Sequence, residues 1–414
     1  MSFYSEEGLM ASALDGIRVI DLSQMIAAPY CTQILADMGA DVIKVERPGV
    51  VRDSFSPSFE RDGKRFSISG FFLGNNRNKR AVSLDLSKPE AKEVLADLLR
   101  VSDVVVENYS LHTRTLLGLT VEWGWSVRPD LIWASLTGLG RTGPEAHRNG
   151  YDYSAQARGG WLSITGDPDG PPMKAGNSLA DYYAGLHLCV GLLGALRHRE
   201  RTGEGQLVDV SLLDSIPPVL DGFPMWYSIG GVVTHRNGHF HPLHQPSYGM
   251  YACNDGYIVL VASGPAWPRF VGEVMKRPDL LETPTVTDRE AYLEYANHMI
   301  EEVRAWMGER TREEAGALMD EHRIPHEPVR DLGEIWDDPQ LEAREMFWEY
   351  EYAPLGKIKT IGSPIHLSRT PTTFRMPPPQ CGEHNTEVLQ ELLHYDDERI
   401  AKLAVAGVLD TYEE

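Results

Sequence analysis

One carboxylate stands directly ahead of the longest apolar stretch of the chain. Asp181 is followed by Tyr182–Leu196, a run with no acid or base except His187. Because these residues are apolar or small on every side, the run predicts a helix that is buried all round and closed by Gly203. Asp181 then takes the N-cap position, as an ordinary cap or as an ionised carboxylate that acts as a nucleophile. The spacing alone leaves both interpretations open.

Basic side chains lie near the ends of several predicted strands, in a chain whose formal net charge is −21. Cations gathered at one rim of a sheet favour a ligand that carries phosphate, and scattered surface charge is the alternative. Asn108 and Tyr109 follow a strand, and they either hold an adenine ring or simply end the strand. The basic residues concerned are Lys44, Arg47, Arg77, Lys79, Arg80, Arg114, Arg141 and Arg148.

A short segment is rich in histidine and contains His235, His239, His241 and His244. Imidazole is a common metal ligand, so three of these side chains form a candidate metal site. No acid or thiol lies among them, and Gly238 with Pro242 indicates a loop. Pocket lining and a solvated loop are the alternatives, and we predict no bound metal.

One glycine-rich segment, Gly138–Gly143 with the sequence GLGRTG, matches the GxGxxG pattern after a predicted strand. A dinucleotide-binding motif also needs a helix that opens at the motif and an acid about 20 residues further on. Here Pro144 follows, and then a loop-like segment. The pattern therefore argues against nicotinamide binding.

The composition is typical of a soluble globular protein, with 414 residues, 42% of them hydrophobic. The net negative charge disfavours nucleic acid and anionic membrane surfaces as partners. The four cysteines are far apart, which indicates reduced thiols rather than disulfides or a zinc site. No secretory signal precedes the first strand, and the longest apolar run is shorter than the about 20 residues of a membrane span. We therefore expect a cytoplasmic protein.

Predicted strands alternate with predicted helices through the first half of the chain. This alternation is typical of an α/β fold, in which helices cover both faces of a parallel sheet and ligands bind at the carboxyl ends of the strands. The polar segment Arg47–Gly63 is predicted to be a loop. Strands are predicted at Gly16–Ser23, Asp41–Glu46, Lys79–Leu86, Asp103–Glu107, Leu131–Thr137 and Gln206–Leu213, and helices at Pro29–Met38 and Lys88–Ser102.

Changes in composition divide the chain into domains. Residues 1–215 form the N-terminal part of a large domain, and residues 216–246, rich in proline, glycine and aromatic residues, form a linker. Residues 247–330 form a smaller α/β domain. Residues 331–380 form a second linker and return segment, and residues 381–414 form C-terminal helices.

Several segments, in order along the chain, resemble class III CoA-transferases. The resemblance runs from about Leu14 to Asp214 and resumes with DGYIVLVA, IPHEPV and DPQLEAREMF. The family includes formyl-CoA:oxalate and carnitine-related CoA-transferases and the related α-methylacyl-CoA racemases. The segments in the first half are LDGIRVIDLSQMIAAPY, NNRNKRAVSLDL, DVVVENY, YDYSAQARGG, SLADYYAGLHLCVGLLGAL and RTGEGQLVDVSLLD.

This resemblance implies a Rossmann-like large domain, built from both chain ends, that binds coenzyme A. Residues 381–414 then complete the large domain, and the smaller domain is joined to it by the two long linkers. Two chains interlock as a homodimer. Coenzyme A and acyl-CoA enter as substrates, and no cofactor is bound permanently.

The family's nucleophile is the acid of an L-[AG]-D motif, which here is Leu179-Ala180-Asp181. The resemblance therefore favours the nucleophilic interpretation of Asp181. Leu116 replaces the basic residue that the family carries before a Leu-Gly pair, so Arg114 or Arg148 is expected to substitute for it. The other expected coenzyme A contacts are Ile26, Ala27, Arg47, Leu84, Asn108 and Tyr109, and the expected acyl pocket contains Tyr151, Asp152 and Gln156.

Tyr151 also separates this chain from the racemases, which carry a His-Asp pair where Tyr151-Asp152 stands. A tyrosine, with an ordinary pKa of about 10, is a poorer base near neutrality than a histidine at about 6.5. We therefore expect CoA transfer from an acyl-CoA donor to a free carboxylic acid, through an aspartyl anhydride and an aspartyl-CoA thioester. An α-methylacyl-CoA racemase or isomerase and a non-catalytic acyl-CoA-binding protein are the alternatives.

Overall fold

The structure is a computed structural model that describes residues 12–50, 58–61, 63–67, 69–243, 245–282, 289–353 and 355–410. The described residues form two compact units. Unit 1 comprises those within Met1–Trp161, Ala175–Pro224 and Leu341–Glu414, and unit 2 comprises those within Leu162–Lys174 and Met225–Gln340.

Both units mix strands and helices. The strands are β1 (Arg18–Asp21), β2 (Asp41–Glu46), β3 (Ser58–Arg61), β4 (Lys64–Ser67), β5 (Lys79–Ser83), β6 (Val104–Glu107), β7 (Ile132–Thr137), β8 (Leu207–Ser211), β9 (Tyr248–Cys253), β10 (Gly256–Val261), β11 (His326–Pro328), β12 (Phe347–Tyr352) and β13 (Gly356–Ile361). The helices are α1 (Ala27–Asp37), α2 (Gly70–Asn75), α3 (Pro89–Arg100), α4 (Leu111–Leu117), α5 (Val121–Val127), α6 (Asp152–Arg158), α7 (Trp161–Ile164), α8 (Leu179–Thr202), α9 (Phe223–Gly230), α10 (Ala266–Arg269), α11 (Arg289–Gly308), α12 (Arg312–Glu321), α13 (Pro339–Ala343), α14 (Asn385–Leu393) and α15 (Asp397–Val405).

Unit 1 is built on a six-stranded sheet with the order β5-β2-β1-β6-β7-β8. All of its strand pairs are parallel, which confirms the predicted α/β fold with a parallel sheet. The strand order reverses between β1 and β6. In sheets of this kind, ligands bind in the crevice that such a reversal leaves at the carboxyl edge.

Neighbouring residues of each strand point to opposite faces of the sheet and enter different cores. Val19 of β1 and Val104 of β6 pack in a core with residues of α1 and α8. Ile20 and Val105 pack on the other face with residues of α3 and with Val388 of α14. The end of the chain therefore contributes to the core of unit 1.

Helix α8 begins two residues before Asp181, which corrects the predicted N-cap position. The N-cap is Ser178, and its side chain makes no capping hydrogen bond within the described residues. Asp181 is therefore the third residue of the helix. The helix starts directly after Ser178. The capping hydrogen bond that Ser178 does not make is replaced by one to Asp152 of another helix, as described below.

The prediction that α8 is buried all round is also wrong. Leu188 and Leu192 belong to the core, but the side chains of Leu186 and Val190 are 41% and 69% exposed. The sheet and α1 cover only part of the helix surface. By length and composition alone, α8 is long and apolar enough to cross a membrane. This is weak evidence for a membrane span, because the inner residues of α8 line a core.

Two β-hairpins were not predicted. Strands β3 and β4 pair in the segment 58–67, part of which was predicted as loop, and residues 51–57 lie outside the described residues. Strands β12 and β13 pair in what was predicted as a linker and return segment. In unit 2, β11, β10 and β9 form an antiparallel sheet, and residues of α11 and α12 pack with it in a third core.

Candidate active site

Asp181 lies in the first turn of α8 with most of its carboxyl removed from solvent. Its carboxylate makes no hydrogen bond or ion pair to any residue in the described ranges. Burial, together with the neighbouring charge of Asp152, raises the pKa of Asp181 to about 7. The carboxyl is thus not fully ionised at neutral pH, which differs from the expectation for an exposed acid at a helix N-terminus. Asp181 is therefore a carboxyl that has no hydrogen-bonding partner in the described residues and whose ionisation changes with pH near neutrality.

Asp152 of α6 supplies the cap that Ser178 does not. Its Oδ1 accepts a hydrogen bond of 2.7 Å from the backbone N–H of Ala180, and its Oδ2 accepts one of 2.8 Å from Gln156 Nε2. Gln156 is fully buried, and its Oε1 accepts from the N–H of Ala175 at 2.9 Å. These bonds fix the chain that leads into α8. Gln156 is therefore placed to position this segment, and its polar atoms already have partners within unit 1.

Tyr151 lies at the N-cap of α6, next to Asp152, and is 73% exposed. Its N–H donates to Ser154 Oγ at 2.9 Å, which holds the turn before the helix. Of the three residues predicted for the acyl pocket, Tyr151 is thus the one with an accessible side chain.

The first turns of α8 pack tightly on the start of α1. A Cβ atom on Gly185 would lie 2.5 Å from the carbonyl oxygen of Ala27, so only glycine fits there. Tyr182 and Tyr30 pack edge to face with ring centroids 4.9 Å apart. Because Asp181 and Gly185 are four residues apart, they share a helix face. Asp181 therefore lies about one turn from Ala27, a predicted coenzyme A contact.

The loop between β1 and α1 is tied to the loop after β6. Asn108 Oδ1 accepts from the N–H of Gln24 at 2.9 Å, and Asn108 Nδ2 donates to the carbonyl oxygen of Gln24 at 2.8 Å. Met25 has a φ of +67°, which bends the chain just before Ile26. The structure thus brings together Ile26, Ala27 and Asn108, three predicted contacts, at the strand-order reversal.

Tyr109 follows Asn108 and is only partly exposed. Burial and the charge of Glu107 raise the pKa of the Tyr109 phenol. Its N–H donates to Glu107 Oε2 at 2.8 Å. The tyrosine is therefore neutral and fixed at its backbone beside the crevice.

A buried ionic cluster lies beneath this crevice. Asp21 is fully buried, and it accepts hydrogen bonds from Lys79 Nζ at 3.0 Å and Thr32 Oγ1 at 2.7 Å. Lys44 Nζ lies 4.0 Å from Asp21 and donates to the carbonyl oxygen of Ser23 at 2.9 Å. Although burial opposes ionisation, the two lysines and the hydroxyls hold the pKa of Asp21 well below its usual range. The cluster fixes the loop that precedes α1.

Two further predicted contacts lie elsewhere on the edge of the sheet. Arg47 follows β2 and is exposed. Leu84 follows β5, but its side chain is 1% exposed and packs in the second core. Its N–H donates to the carbonyl oxygen of Glu46, and its own carbonyl accepts from Leu86. Leu84 is therefore placed to support this edge rather than to offer its side chain to a ligand.

The two arginines expected to substitute for the missing base have other partners. Arg114 is buried, and its Nη1 lies 3.1 Å from Glu107 Oε1 and 2.9 Å from Ser135 Oγ. Arg148 is exposed and pairs with Glu145. The Arg114 guanidinium is thus held by a buried carboxylate and that of Arg148 by a partly exposed one, and the expectation that one of them binds coenzyme A stays a prediction.

The histidine-rich loop does not gather into a metal site in the described residues. His235 and His239 are exposed, and His241 stacks on the ring of Tyr248 with centroids 5.3 Å apart. His244 lies outside the described residues.

The profile of CoA-transferase family III matches residues 14–385 of this chain. The match covers the sheet, the loops at its carboxyl edge and α8. The chain belongs to CoA-transferase family III. It is therefore an enzyme that transfers coenzyme A to carboxylic acids.

Characterised members of this family are similar over nearly their whole length. The chain is 39% identical to the succinyl-CoA:mesaconate CoA-transferase of Haloarcula marismortui, over 92% of this chain and 96% of the relative. It is 36% identical to the succinate–glutarate CoA-transferase of Agrobacterium fabrum, over 92% and 95%. It is 32% identical to the formyl-CoA:oxalate CoA-transferase of Rhodopseudomonas palustris, over 97% and 98%.

A solved structure has a similar fold. The CAIB/BAIF family protein from Brucella suis superimposes with a TM-score of 0.82 at 30% identity, over 92% of this chain and all of that chain. The family III CoA-transferase described here therefore shares its fold with an experimentally determined structure.

Proposed function

We propose that this family III CoA-transferase uses Asp181 as its nucleophile and passes coenzyme A through two covalent aspartyl intermediates. A carboxylate oxygen of Asp181 attacks the thioester carbonyl carbon of the donor, the C–S bond breaks, and a mixed anhydride and a CoA thiolate form. The thiolate then attacks the aspartyl carbonyl carbon, which releases the donor acid and leaves an aspartyl-CoA thioester.

The second half of the cycle is the reverse of the first. The acceptor carboxylate attacks the aspartyl thioester, releases the thiolate and forms a new anhydride. The thiolate then attacks the acceptor carbonyl, so that acyl-CoA leaves and the Asp181 carboxylate is restored. The thioester bond energy is conserved in covalent form, and water must be kept from both intermediates.

One observation carries this proposal: the unpartnered carboxyl of Asp181 lies one helical turn from the contact between Gly185 and Ala27. Backbone N–H groups in the first turn of α8 are suited to stabilise the oxyanions that form at the aspartyl carbon. The Ala180 N–H already donates to Asp152. The N–H of Tyr182 donates to the carbonyl oxygen of Ser178 at 3.2 Å, which leaves the N–H groups of Leu179 and Asp181 as the donors of this turn without a partner in the described residues.

The test compares Asp181→Asn with Glu90→Gln, an exposed acid in the first turn of α3. We expect Asp181→Asn to lower CoA exchange by at least about a thousandfold while CoA binding, measured by calorimetry, changes little. Glu90→Gln should match the wild type in both. Substantial exchange by Asp181→Asn would remove the proposed nucleophile.

For the substrates, we propose succinyl-CoA as donor and a short dicarboxylic acid as acceptor. Support comes from the relatives in Haloarcula and Agrobacterium, whose names specify succinyl-CoA with mesaconate and succinate with glutarate. The assay offers succinyl-CoA with mesaconate, glutarate, oxalate or benzoate and detects new CoA esters by mass. Faster transfer to benzoate than to every dicarboxylate would contradict this assignment. Solvent deuterium entering the α-carbon without an acceptor would indicate isomerase chemistry instead.

We also propose that the enzyme is a homodimer. Leu186 and Val190 lie four residues apart on one face of α8, and both are exposed in the single chain. Exposed apolar side chains that lie together on one face commonly mark a surface that a partner covers. The interlocked arrangement that the resemblance implies would cover such a face with a second copy.

A further inference from the structure

Two arginines share one buried carboxylate at the carboxyl ends of β6 and β7. Arg114 Nη1 lies 3.1 Å from Glu107 Oε1, and Arg141 Nη1 lies 3.3 Å from the same oxygen. Both Nη1 atoms also reach Ser135 Oγ, at 2.9 and 3.3 Å. Glu107 is fully buried. Glu107 therefore balances one of the two guanidinium charges, and Asp209 and Glu122 are further acids near Arg141.

Arg141 is the member of this cluster that reaches the surface. The side chain of Arg141 is 20% exposed, against 6% for that of Arg114. Within the described residues, its Nε and Nη2 groups donate no hydrogen bond. Burial and, after it, the neighbouring charge of Arg114 lower the pKa of Arg141, and the charges of Glu107, Asp209 and Glu122 oppose this shift.

The loop that carries Arg141 is held firmly. The backbone N–H of Arg141 donates to Asp209 Oδ2 at 3.2 Å, and Gly140 has a φ of +91°. A Cβ atom on Gly138 would lie 2.4 Å from the backbone of Gly150, so the two ends of the loop are in close contact. A guanidinium carried on such a fixed backbone loses less conformational entropy when it binds a ligand than one on a mobile loop.

The cluster adjoins the crevice at the strand-order reversal. Glu107 is followed directly by Asn108, which is hydrogen-bonded to Gln24 of the loop after β1. Arg114 is more deeply buried than Arg141, and Arg148 is exposed and paired with Glu145. Guanidinium groups bind phosphate through paired N–H donors.

We propose that Arg141 binds a phosphate group of coenzyme A. This inference rests on the proposed function only in taking acyl-CoA as the substrate, and it does not depend on Asp181 as the nucleophile. Arg114 holds Glu107, and Glu107 in turn anchors Arg141 through Nη1, which leaves the other edge of the Arg141 guanidinium for the phosphate.

The test measures CoA binding by calorimetry for Arg141→Gln, with Arg100→Gln on α3 as the matched control. We expect Arg141→Gln to weaken CoA binding by about 10- to 100-fold and to leave kcat at saturation within about threefold. Arg100→Gln should change binding less than about twofold, because Arg100 is exposed and already pairs with Asp97. CoA binding by Arg141→Gln within twofold of the wild type would overturn the proposal.

Dephospho-CoA identifies which phosphate is bound. If Arg141 holds the 3′-phosphate, Arg141→Gln and the wild type bind dephospho-CoA equally. If it holds the diphosphate, the difference in binding between the two proteins remains.

Should Arg141→Gln fail to fold, Arg141→Lys retains the charge beside Glu107 but removes the paired donors, and we expect at least about fivefold weaker binding of CoA. Wild-type binding by folded Arg141→Lys would then refute the proposal. Because binding is measured without turnover, this result is independent of whether Asp181→Asn abolishes exchange.

Discussion

At the scale of single residues, the site depends on a carboxyl that is kept only partly ionised. Asp181 has no polar partner in the described residues, and Asp152 touches the same helix end through the Ala180 N–H. A carboxylate that accepts strong hydrogen bonds is a weaker nucleophile than one that is only partly desolvated and close to a like charge. The partial desolvation of Asp181 therefore serves its proposed reaction.

The pH dependence of exchange follows from this environment. Only the ionised form of Asp181 attacks the donor, and its pKa is about 7, so kcat/KM for the donor should rise about tenfold per pH unit below that value and level off above it. Asp152→Asn removes the like charge and should move the midpoint to lower pH. Burial remains, so the midpoint should stay above the ordinary carboxyl value of 3.8. The measurement is kcat/KM across about pH 5 to 9 for both proteins, with Glu90→Gln as control.

An unchanged midpoint in Asp152→Asn would contradict a charge effect of Asp152 on Asp181. A profile that is flat across neutrality in the wild type would contradict the raised pKa itself. In that case the ionisation of Asp181 does not limit the reaction.

The residue-level site was only partly predictable from the sequence. Asp181 was predicted from its motif and stays a proposal, whereas the cap from Asp152 joins residues 28 positions apart, which spacing does not reveal. The same is true of Arg114, whose partner Ser135 lies 21 positions away. Sequence patterns identify which groups carry charge, whereas the fold decides which charges are already neutralised.

At the scale of elements, the contact between α8 and α1 aligns the proposed nucleophile with the loop that follows β1. Tyr30 and Tyr182 pack ring against ring, and Gly185 admits the Ala27 carbonyl. Close approach of two helices at a small residue fixes their separation and leaves little freedom for either.

Gly185→Ala should therefore damage both stability and function. A Cβ atom would meet the Ala27 oxygen at 2.5 Å and separate the helices, at a cost of about 1–3 kcal/mol in the free energy of unfolding. KM for acyl-CoA should rise, because Ala27 moves. The matched variant is Gly308→Ala in α11, where a Cβ atom meets nothing within 4 Å. It should stabilise the protein by about 0.5–1 kcal/mol.

Urea unfolding and steady-state kinetics measure both effects. The packing account is wrong if the two alanine variants shift the free energy of unfolding in the same direction. A raised KM in Gly308→Ala would likewise show that a general change in helix stability, rather than the contact with Ala27, controls binding.

Element boundaries were most predictable where β-branched residues dominate. The predicted strand Asp41–Glu46 agrees with β2 residue for residue, since its neighbours bury both faces. The hairpin of β12 and β13 was missed because its pairing depends on cross-strand partners such as Glu349 opposite Lys359. Alternation of charged and apolar residues does not by itself show which other segment a strand pairs with.

At the scale of the whole molecule, α8 exposes an apolar face, which we propose is covered by a partner chain. Val190 is 69% exposed on a helix whose composition led to the prediction of complete burial. A second copy of the chain would satisfy that prediction and cover the apolar side chains.

Val190→Asp should therefore dissociate the proposed homodimer. A carboxylate placed in an apolar interface loses its hydration without gaining a partner. The control is Val405→Asp on α15, where the side chain is 91% exposed and a charge costs nothing. Sedimentation velocity should give a dimer for the wild type and Val405→Asp, and a monomer for Val190→Asp. A monomeric wild type, or a dimeric Val190→Asp, would contradict the proposed interface.

The central claim is that Asp181 itself carries the transferred group, and covalent trapping tests it most directly. The enzyme is mixed with succinyl-CoA in the absence of an acceptor, quenched with hydroxylamine or borohydride, digested, and examined by peptide mass spectrometry. The account predicts a hydroxamate or a reduced homoserine at Asp181 and at no other acid, and none in Asp181→Asn. An unmodified Asp181 peptide in an enzyme that still exchanges CoA, or a modified residue elsewhere, would contradict it.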